Sequence, residues 1–232
     1  MLRDTVKQLA ERAARTRVGA NLVHASVLHD HSRKRFSAVE RWPDEVRGFE
    51  DLTFLFSSNQ LNHGIASLQF DEAALLYRVA RDAGPAKLAE IGRFRGGSTV
   101  ITAAAMDAGA ELWSYDLSSA NDGELNTALA RLGLAERVHL VVGDSRTVEL
   151  PEGPLRALFI DGDHTYEGAR ADFERWRTLL APGSDLLFHD AVDSGGYGNH
   201  YPGIARLAAE IGRDPGFERL PGAGSIAHFA AR

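Results

Sequence analysis

Cysteine is absent from the 232 residues, which excludes disulfides, thiolate metal sites and a cysteine nucleophile. Any metal must be held by Asp, Glu or His, and a chain free of cysteine suits a reducing compartment. Excess positive charge is missing too. A formal net charge of -6 gives no footprint for nucleic acid or an anionic membrane, so the expected partner is a small molecule. Long apolar runs are lacking: no stretch approaches the ~18 residues that a membrane span needs. The first thirty residues carry Arg, Asp, Glu and Lys throughout instead of a signal-peptide core, and a cytoplasmic location is expected. No repeat, low-complexity segment or flexible linker is visible. What remains is 44% hydrophobic and 25% charged, the balance of a globular protein, at a length that suits one domain with a sizeable core plus an elaboration.

One stretch organises the chain, residues 88–99, Leu-Ala-Glu-Ile-Gly-Arg-Phe-Arg-Gly-Gly-Ser-Thr. An apolar run ends in Glu90, turns through Gly92, Gly96 and Gly97, and opens a helix that Ser98 or Thr99 can cap. Residues without a Cβ let the backbone take positive φ and approach a ligand, and the helix start offers free N–H groups. The spacing is Gly-x-x-x-Gly-Gly. It is not the Gly-x-Gly-x-x-Gly of a dinucleotide site, and the Lys-Ser/Thr pair of a nucleotide P-loop is lacking. On its own such a turn is equally a plain strand-to-helix connection.

Residues 1 to about 35 read as helix, with Val6, Leu9, Ala10, Ala13 and Ala14 on one face and a break near Gly19 and Asn21. His24, His29 and His31 near Asp30 fall on different sides of a helix, which favours a solvated or partner-facing surface over a metal site. Trp42-Pro43-Asp44-Glu45 reads as a turn. The segment from Phe49 to Phe70 suits an ordered loop or lid. From Asp71, a candidate N-cap, the pattern becomes regular, and a helix runs to Ala83-Gly84-Pro85. Strands are predicted over 87–91, 111–116, 138–142, 155–161 and 185–190, and helices over 98–108, 122–132, 166–180 and 203–211. Ala181-Pro182-Gly183 is read as the stop of the third of these helices. Two last strands, 217–220 and 225–229, flank Pro-Gly-Ala-Gly. Such alternation predicts an α/β fold with a mostly parallel, seven-stranded sheet covered on both faces and an antiparallel C-terminal hairpin.

In open α/β sheets the ligand sits beyond the carboxyl ends of the strands. Those ends are acidic here: Glu90, then Asp116, then Gly143-Asp144-Ser145, then Asp161-Gly-Asp-His164, then His189-Asp190. An acid after the second strand can bind both hydroxyls of a ribose, and one after the third can accept from an adenine amino group. Each alone could be a helix cap; in series they describe a nucleoside pocket.

The motifs Glu-x-Gly-x-x-x-Gly-Gly-Ser, Ser-Tyr-Asp-Leu, Gly-Asp-Ser, Phe-Ile-Asp-Gly-Asp-His-Thr-Tyr-Glu-Gly, Leu-Ala-Pro-Gly and Phe-His-Asp resemble those of class I S-adenosylmethionine-dependent methyltransferases, with a Rossmann-like fold. The likeness is strongest to the branch of small-molecule and sugar O-methyltransferases that includes macrocin O-methyltransferase and cephalosporin-biosynthesis proteins. It covers residues 71–232, the expected catalytic domain; residues 1–70 lie outside it and read from their own pattern as an N-terminal helical arm or cap and substrate lid. By the resemblance, Glu90, Gly92, Arg93, Gly96 and Ser98 hold the methionine portion of S-adenosylmethionine, Asp116 and Leu117 the ribose, and Gly143, Asp144 and Ser145 the adenine. Asp161 borders both cofactor and acceptor.

Metal-dependent relatives place a divalent cation between the fourth and fifth strands. The resemblance puts Asp161, His189 and Asp190 there, where two carboxylates suit Mg²⁺ and a histidine suits Mn²⁺ or Fe²⁺. Catechol-type relatives carry Asp-Asn where this chain has Asp190-Ala191, so metal use stays open. His164 stands where such relatives have a basic residue that takes the hydroxyl proton, and imidazole has a suitable intrinsic pKa; a helix cap is its other reading. Arg93 and Arg95 read as substrate-anion contacts or solvated loop residues. Tyr166, Phe173 and Trp176 read as helix packing. Substrate contacts are expected from Gln60, His63, and Tyr197 to Tyr201 with His200, with Gly195-Gly196 making that loop a lid.

The expected activity is O-methylation of a hydroxylated small molecule, a sugar or specialised metabolite, by an enzyme that forms a homo-oligomer through its amphipathic arm. Two other readings are a non-catalytic S-adenosylmethionine-binding or assembly protein and a nicotinamide-dependent oxidoreductase. The second lacks its glycine pattern; the Asp161, His164 and Asp190 set speaks against the first.

Overall fold

The computed structural model describes residues 45–56, 66–193 and 201–232. The expected N-terminal helices, the histidines at 24, 29 and 31, most of the Trp42 turn, Gln60, His63, the Gly195-Gly196 pair, Tyr197 and His200 all lie outside them. Within Phe49–Phe70 the described part begins as a short 3-10 helix, Phe49–Leu55.

Seven strands form one sheet: β1 Lys87–Ile91, β2 Glu111–Asp116, β3 Val138–Val142, β4 Leu155–Ile160, β5 Leu180–Phe188, β6 Phe217–Ala223 and β7 Ile226–Ala231. Their order is β3-β2-β1-β4-β5-β7-β6. The first five pair in parallel. Strand β7 returns antiparallel between β5 and β6. The helices are α1 Phe70–Asp82, α2 Gly97–Ala105, α3 Asp122–Arg131, α4 Tyr166–Trp176 and α5 Pro202–Ile211. None of the described helices is long and apolar enough to cross a membrane.

Alternating side chains on the central strands send half of each strand to either face. Leu88, Ala157, Phe159 and Leu187 join Val100, Ile101, Leu125 and Leu129 on the side of α1 to α3. Ala89, Leu158, Ile160, Leu186 and Phe188 join Phe173, Trp176, Ile204 and Leu207 on the side of α4 and α5. The chain order reverses between β1 and β4. Connections there leave in opposite directions and open a crevice above the strand ends.

Three local expectations change. Helix α1 is capped by Gln69, whose N–H donates to Glu72 Oε2 at 2.7 Å, so Asp71 lies inside the helix. Helix α4 ends at Trp176 and passes through a 3-10 turn, Arg177–Leu179; Ala181-Pro182-Gly183 then belongs to β5, which starts at Leu180. Pairing of Leu180 with Leu155 draws that segment into the sheet edge despite its proline and glycine. Likewise β6 runs on through Pro221-Gly222, where the register against β7 is irregular, so Pro-Gly-Ala-Gly is mostly strand and not loop.

Candidate active site

Beyond the carboxyl ends of β1 to β5 lies a cavity of about 600 Å³. Its lining includes Gly92, Asp116, Leu117, Gly143, Asp144, Ser145, Asp161, His164, His189 and Asp190, so these residues expected at the site do meet there. Glu90, Arg93, Gly96 and Ser98 do not line it.

The turn after β1 explains the division. Glu90 faces the α2 side of the sheet and is 2% exposed. It accepts hydrogen bonds from Ser98, from Thr99 Oγ1 at 2.6 Å and from Ser114 Oγ at 2.6 Å. Burial pushes its carboxyl pKa up, against the pull of those three hydroxyls. Glu90 and Ser98 therefore brace the turn from behind, since a strand residue one place before the ligand-facing end points to the opposite face. Arg93 is likewise buried. Its guanidinium grips Asp122 at 2.8 and 2.7 Å and donates to the carbonyls of Ser114 at 3.0 Å and Val141 at 2.9 Å. Neither Arg93 nor the equally buried Arg95 is a solvated loop residue, and Arg93 has no fork left for a substrate anion. Gly96 caps α2 in the left-handed region at φ 81°, packed against Leu125. Of the turn's glycines, Gly92 lines the cavity, beside Ile91 and Phe94. It sits at φ +88°, and a Cβ there would collide with the carbonyl of Asp161, so β1 and β4 converge only over a glycine.

Asp116 Oδ2 accepts Phe94 N–H at 2.9 Å and Oδ1 accepts Ser118 N–H at 2.8 Å. Each oxygen keeps a free lone pair for a hydroxyl. Asp144 is more heavily engaged. Oδ1 accepts the N–H of Arg146 at 2.9 Å and its Nε at 2.8 Å, while Oδ2 takes the guanidinium at 2.7 Å. Arg146 holds this carboxyl down at about 2. Ser145 donates to Asp172, another lining residue, at 2.6 Å, which commits its hydroxyl proton.

The acid–histidine cluster is built by three loops. Thr165, not His164, caps α4 by accepting Gly168 N–H at 3.1 Å, which removes the capping role from His164. His164 Nε2 lies 3.4 Å from Asp161 Oδ1 and 3.3 Å from Asp190 Oδ2. Those two carboxylates raise its pKa to about 9, against the effect of burial. Tyr201, at the start of α5, lays its ring 4.4 Å from that of His164. His189 is held at both nitrogens: Nδ1 lies 3.1 Å from Asp161 Oδ1 and Nε2 lies 3.3 Å from Glu72 Oε2. Burial alone would lower its pKa; Asp161, Glu72 and Asp190 outweigh it and lift it to about 10.

Among the described residues, the group whose ligand atoms lie within 4.8 Å of one another is Asp161, His164 and Asp190. It shares Asp161 and Asp190 with the expected metal ligands and has His164 where His189 was expected. His189 instead faces Asp161 through Nδ1 and Glu72 through Nε2. The cluster also contains two residues that the motifs did not indicate, Glu72 on α1 and Ser225 in the β6–β7 turn. Glu72 sits at the third position of its helix, where an acid reads simply as a capping partner.

Residues 89–191 match the family model described as a methyltransferase domain. The match starts in β1 and closes just after Asp190, so it contains the glycine turn and the whole Asp161, His164 and Asp190 group but neither Glu72 nor Ser225. Solved structures of the same fold include a cofactor-bound protein, Rv0187 from MTB, at 21% identity over 72% of this chain and 82% of that one, TM-score 0.60. An O-methyltransferase from Bacillus cereus in complex with SAH is 19% identical over 72% of this chain and 83% of its own, TM-score 0.58. The O-methyltransferase TomG from Streptomyces achromogenes, in complex with SAM, is 17% identical over 84% and 98%, TM-score 0.59. At such identities the likeness establishes the fold alone.

Proposed function

We propose that this methyltransferase transfers the methyl group of S-adenosylmethionine to a hydroxyl of a small molecule. The observation that carries the reading is that one cavity joins the Gly92 turn and Asp116 to the Asp161, His164 and Asp190 group. Its residues suit the cofactor. Asp116 has one open lone pair on each oxygen for a pair of ribose hydroxyls, and the missing Cβ of Gly92 leaves backbone at the cavity wall. Glu90, Arg93, Gly96 and Ser98 support this wall from behind. The cofactor-bound relatives above add to the reading.

When bound, the cofactor supplies an electrophilic methyl on a positively charged sulfur. An acceptor oxygen held in line with that methyl would form the O–C bond as the C–S bond breaks, and the electron pair would stay on sulfur. The hydroxyl proton goes to His164. For this His164 must first be neutral, and in the company of Asp161 and Asp190 alone it holds its proton up to about 9. Asp161 and Asp190 would hold a divalent cation, which would offset the two carboxylates and supply Lewis acidity to the hydroxyl. Asp161 and Asp190 suit Mg²⁺ and would leave His164 to take the proton, while a cation that also drew on His189 would be Mn²⁺ or Fe²⁺. Acceptor choice and self-assembly fall to residues 1–70 and the loop after Asp190 in this reading.

The test is calorimetry followed by turnover. S-adenosylhomocysteine should bind and NAD should not; the reverse would sink the assignment. A screen of hydroxylated metabolites with EDTA, Mg²⁺ or Mn²⁺ then identifies the acceptor. Activity that survives EDTA unchanged would remove the cation.

A further inference from the structure

Glu72 lies outside the matched domain and lines no part of the cavity, yet both of its oxygens are committed to neighbours of the reaction centre. It is 1% exposed. Oε1 accepts the N–H of Ser225 at 2.7 Å and its hydroxyl at 2.8 Å. Oε2 accepts Gln69 N–H and faces His189. A buried carboxylate of this kind adds little stability over an apolar side chain of similar size, so its presence points to positioning.

Two arms leave from it. The first is His189, which reaches Asp161 Oδ1 at 3.1 Å through its other nitrogen. The second is Ser225, whose Oγ accepts Asp190 N–H at 3.2 Å and lies 3.3 Å from Asp190 Oδ1. The carbonyl of Ser225 also takes the N–H groups of Ala191 at 2.9 Å and Val192 at 3.0 Å. Asp190 needs such support. It occupies the left-handed region at φ 55°, which costs a residue with a Cβ about 1 kcal/mol or more. The turn that carries Ser225 is shaped to the same carboxylate: a Cβ on Gly224 would lie 2.5 Å from Glu72 Oε1.

We propose that Glu72 is a positioning residue for methyl transfer, which sets Asp161 through His189 and Asp190 through Ser225 so that both carboxylates face His164. The proposal rests on the reading of Asp161, His164 and Asp190 as the reaction centre. It assigns a role to the helix before β1 that the matched domain does not contain.

Glu72→Gln keeps the side chain's length and replaces one acceptor oxygen by a donor, so one arm loses its partner. Crystal structures of wild type and variant should differ by about 1 Å at the Asp161 or Asp190 carboxylate, a displacement large enough to slow chemistry. With the acceptor from the screen, kcat should fall about tenfold to a hundredfold while the acceptor KM and the Kd for S-adenosylhomocysteine stay within about threefold. Unmoved carboxylates with unchanged kcat would overturn the proposal. So would a fall in Tm with kcat per folded molecule unaltered, because that is a structural role only. Should Glu72→Gln fail to fold, Ser225→Ala breaks only the second arm, and the same loss of kcat with Asp190 displaced is expected; an undisturbed Asp190 would overturn it. Failure of the wild type to bind S-adenosylhomocysteine counts against the proposed function, and the crystal comparison still decides the role of Glu72.

Discussion

Arg93 and Asp122 form a two-pronged ion pair, Nε to Oδ1 at 2.8 Å and the terminal nitrogen to Oδ2 at 2.7 Å, which ties the glycine turn to the start of α3. The arginine side chain is wholly buried and the aspartate side chain is 16% exposed. Removal of one partner of such a pair leaves an uncompensated charge. Arg93→Ala should cost about 3 to 5 kcal/mol and lower Tm by about 10 °C, read by thermal melts. Arg93→Lys retains the charge and loses the fork, so it should fall between. A melt of Arg93→Ala that coincides with wild type would contradict the bracing role.

Gly92→Ala tests the convergence of β1 and β4. Left-handed strain alone costs about 1 to 2 kcal/mol, and the new Cβ would press on the carbonyl of Asp161. The affinity for S-adenosylhomocysteine should drop about tenfold or more by calorimetry. Gly84→Ala is the control: that glycine is also at positive φ, but a Cβ there meets no atom, so it should cost stability and leave affinity alone. Equal affinities in wild type and Gly92→Ala would disprove the close approach.

Acid should weaken the fold through Glu72. Burial would raise its pKa, but bonds from His189 and from the N–H groups of Gln69 and Ser225 win and lower it from 4.5 to about 2. A depressed folded pKa means stability that is fully present above pH 4.5 and lost as pH falls towards about 2. The whole effect is about 3 kcal/mol. His189 runs the other way. With its pKa raised from 6.5 to about 10, its stabilisation is complete below pH 6.5 and disappears as pH climbs through about 10. Thermal melts across pH should show both limbs, and Glu72→Gln should flatten the acid one. An acid limb unchanged in that variant would assign the effect to other carboxylates.

His164→Ala should abolish most turnover, by about a hundredfold or more, with S-adenosylhomocysteine still bound within about twofold of wild type. Asp116→Ala should do the opposite and act first on cofactor affinity, because Asp116 lines the cavity but is not part of the Asp161, His164 and Asp190 group. If His164→Ala turns over at the wild-type rate, the proton leaves by another route.

Much of the fold was legible because the signals are local. β1, β2 and β3 lie where their apolar runs and acidic ends predict. So does the closing pair β6 and β7, within a few residues. The errors fall where a sheet neighbour overrides local chemistry. Pro182 and Gly183 look like a helix stop and are strand, because Leu180 pairs with Leu155. At the site, the acids after the strands were visible as a series because topology brings strand ends together. Which way each side chain points was not. Glu90 and Arg93 carry the residue types of a binding turn and spend them on Ser98, Thr99, Ser114 and Asp122.

By itself the sequence determined the α/β class, the glycine turn and the acidic strand ends, since each depends on neighbours a few residues apart. The tertiary structure alone decided how those residues divide between cavity and scaffold. Glu72 shows why. Its partners stand 117 and 153 residues away, and no pattern of neighbouring residues can announce a bond whose two ends meet only when α1 and the β6–β7 turn close over the strand ends.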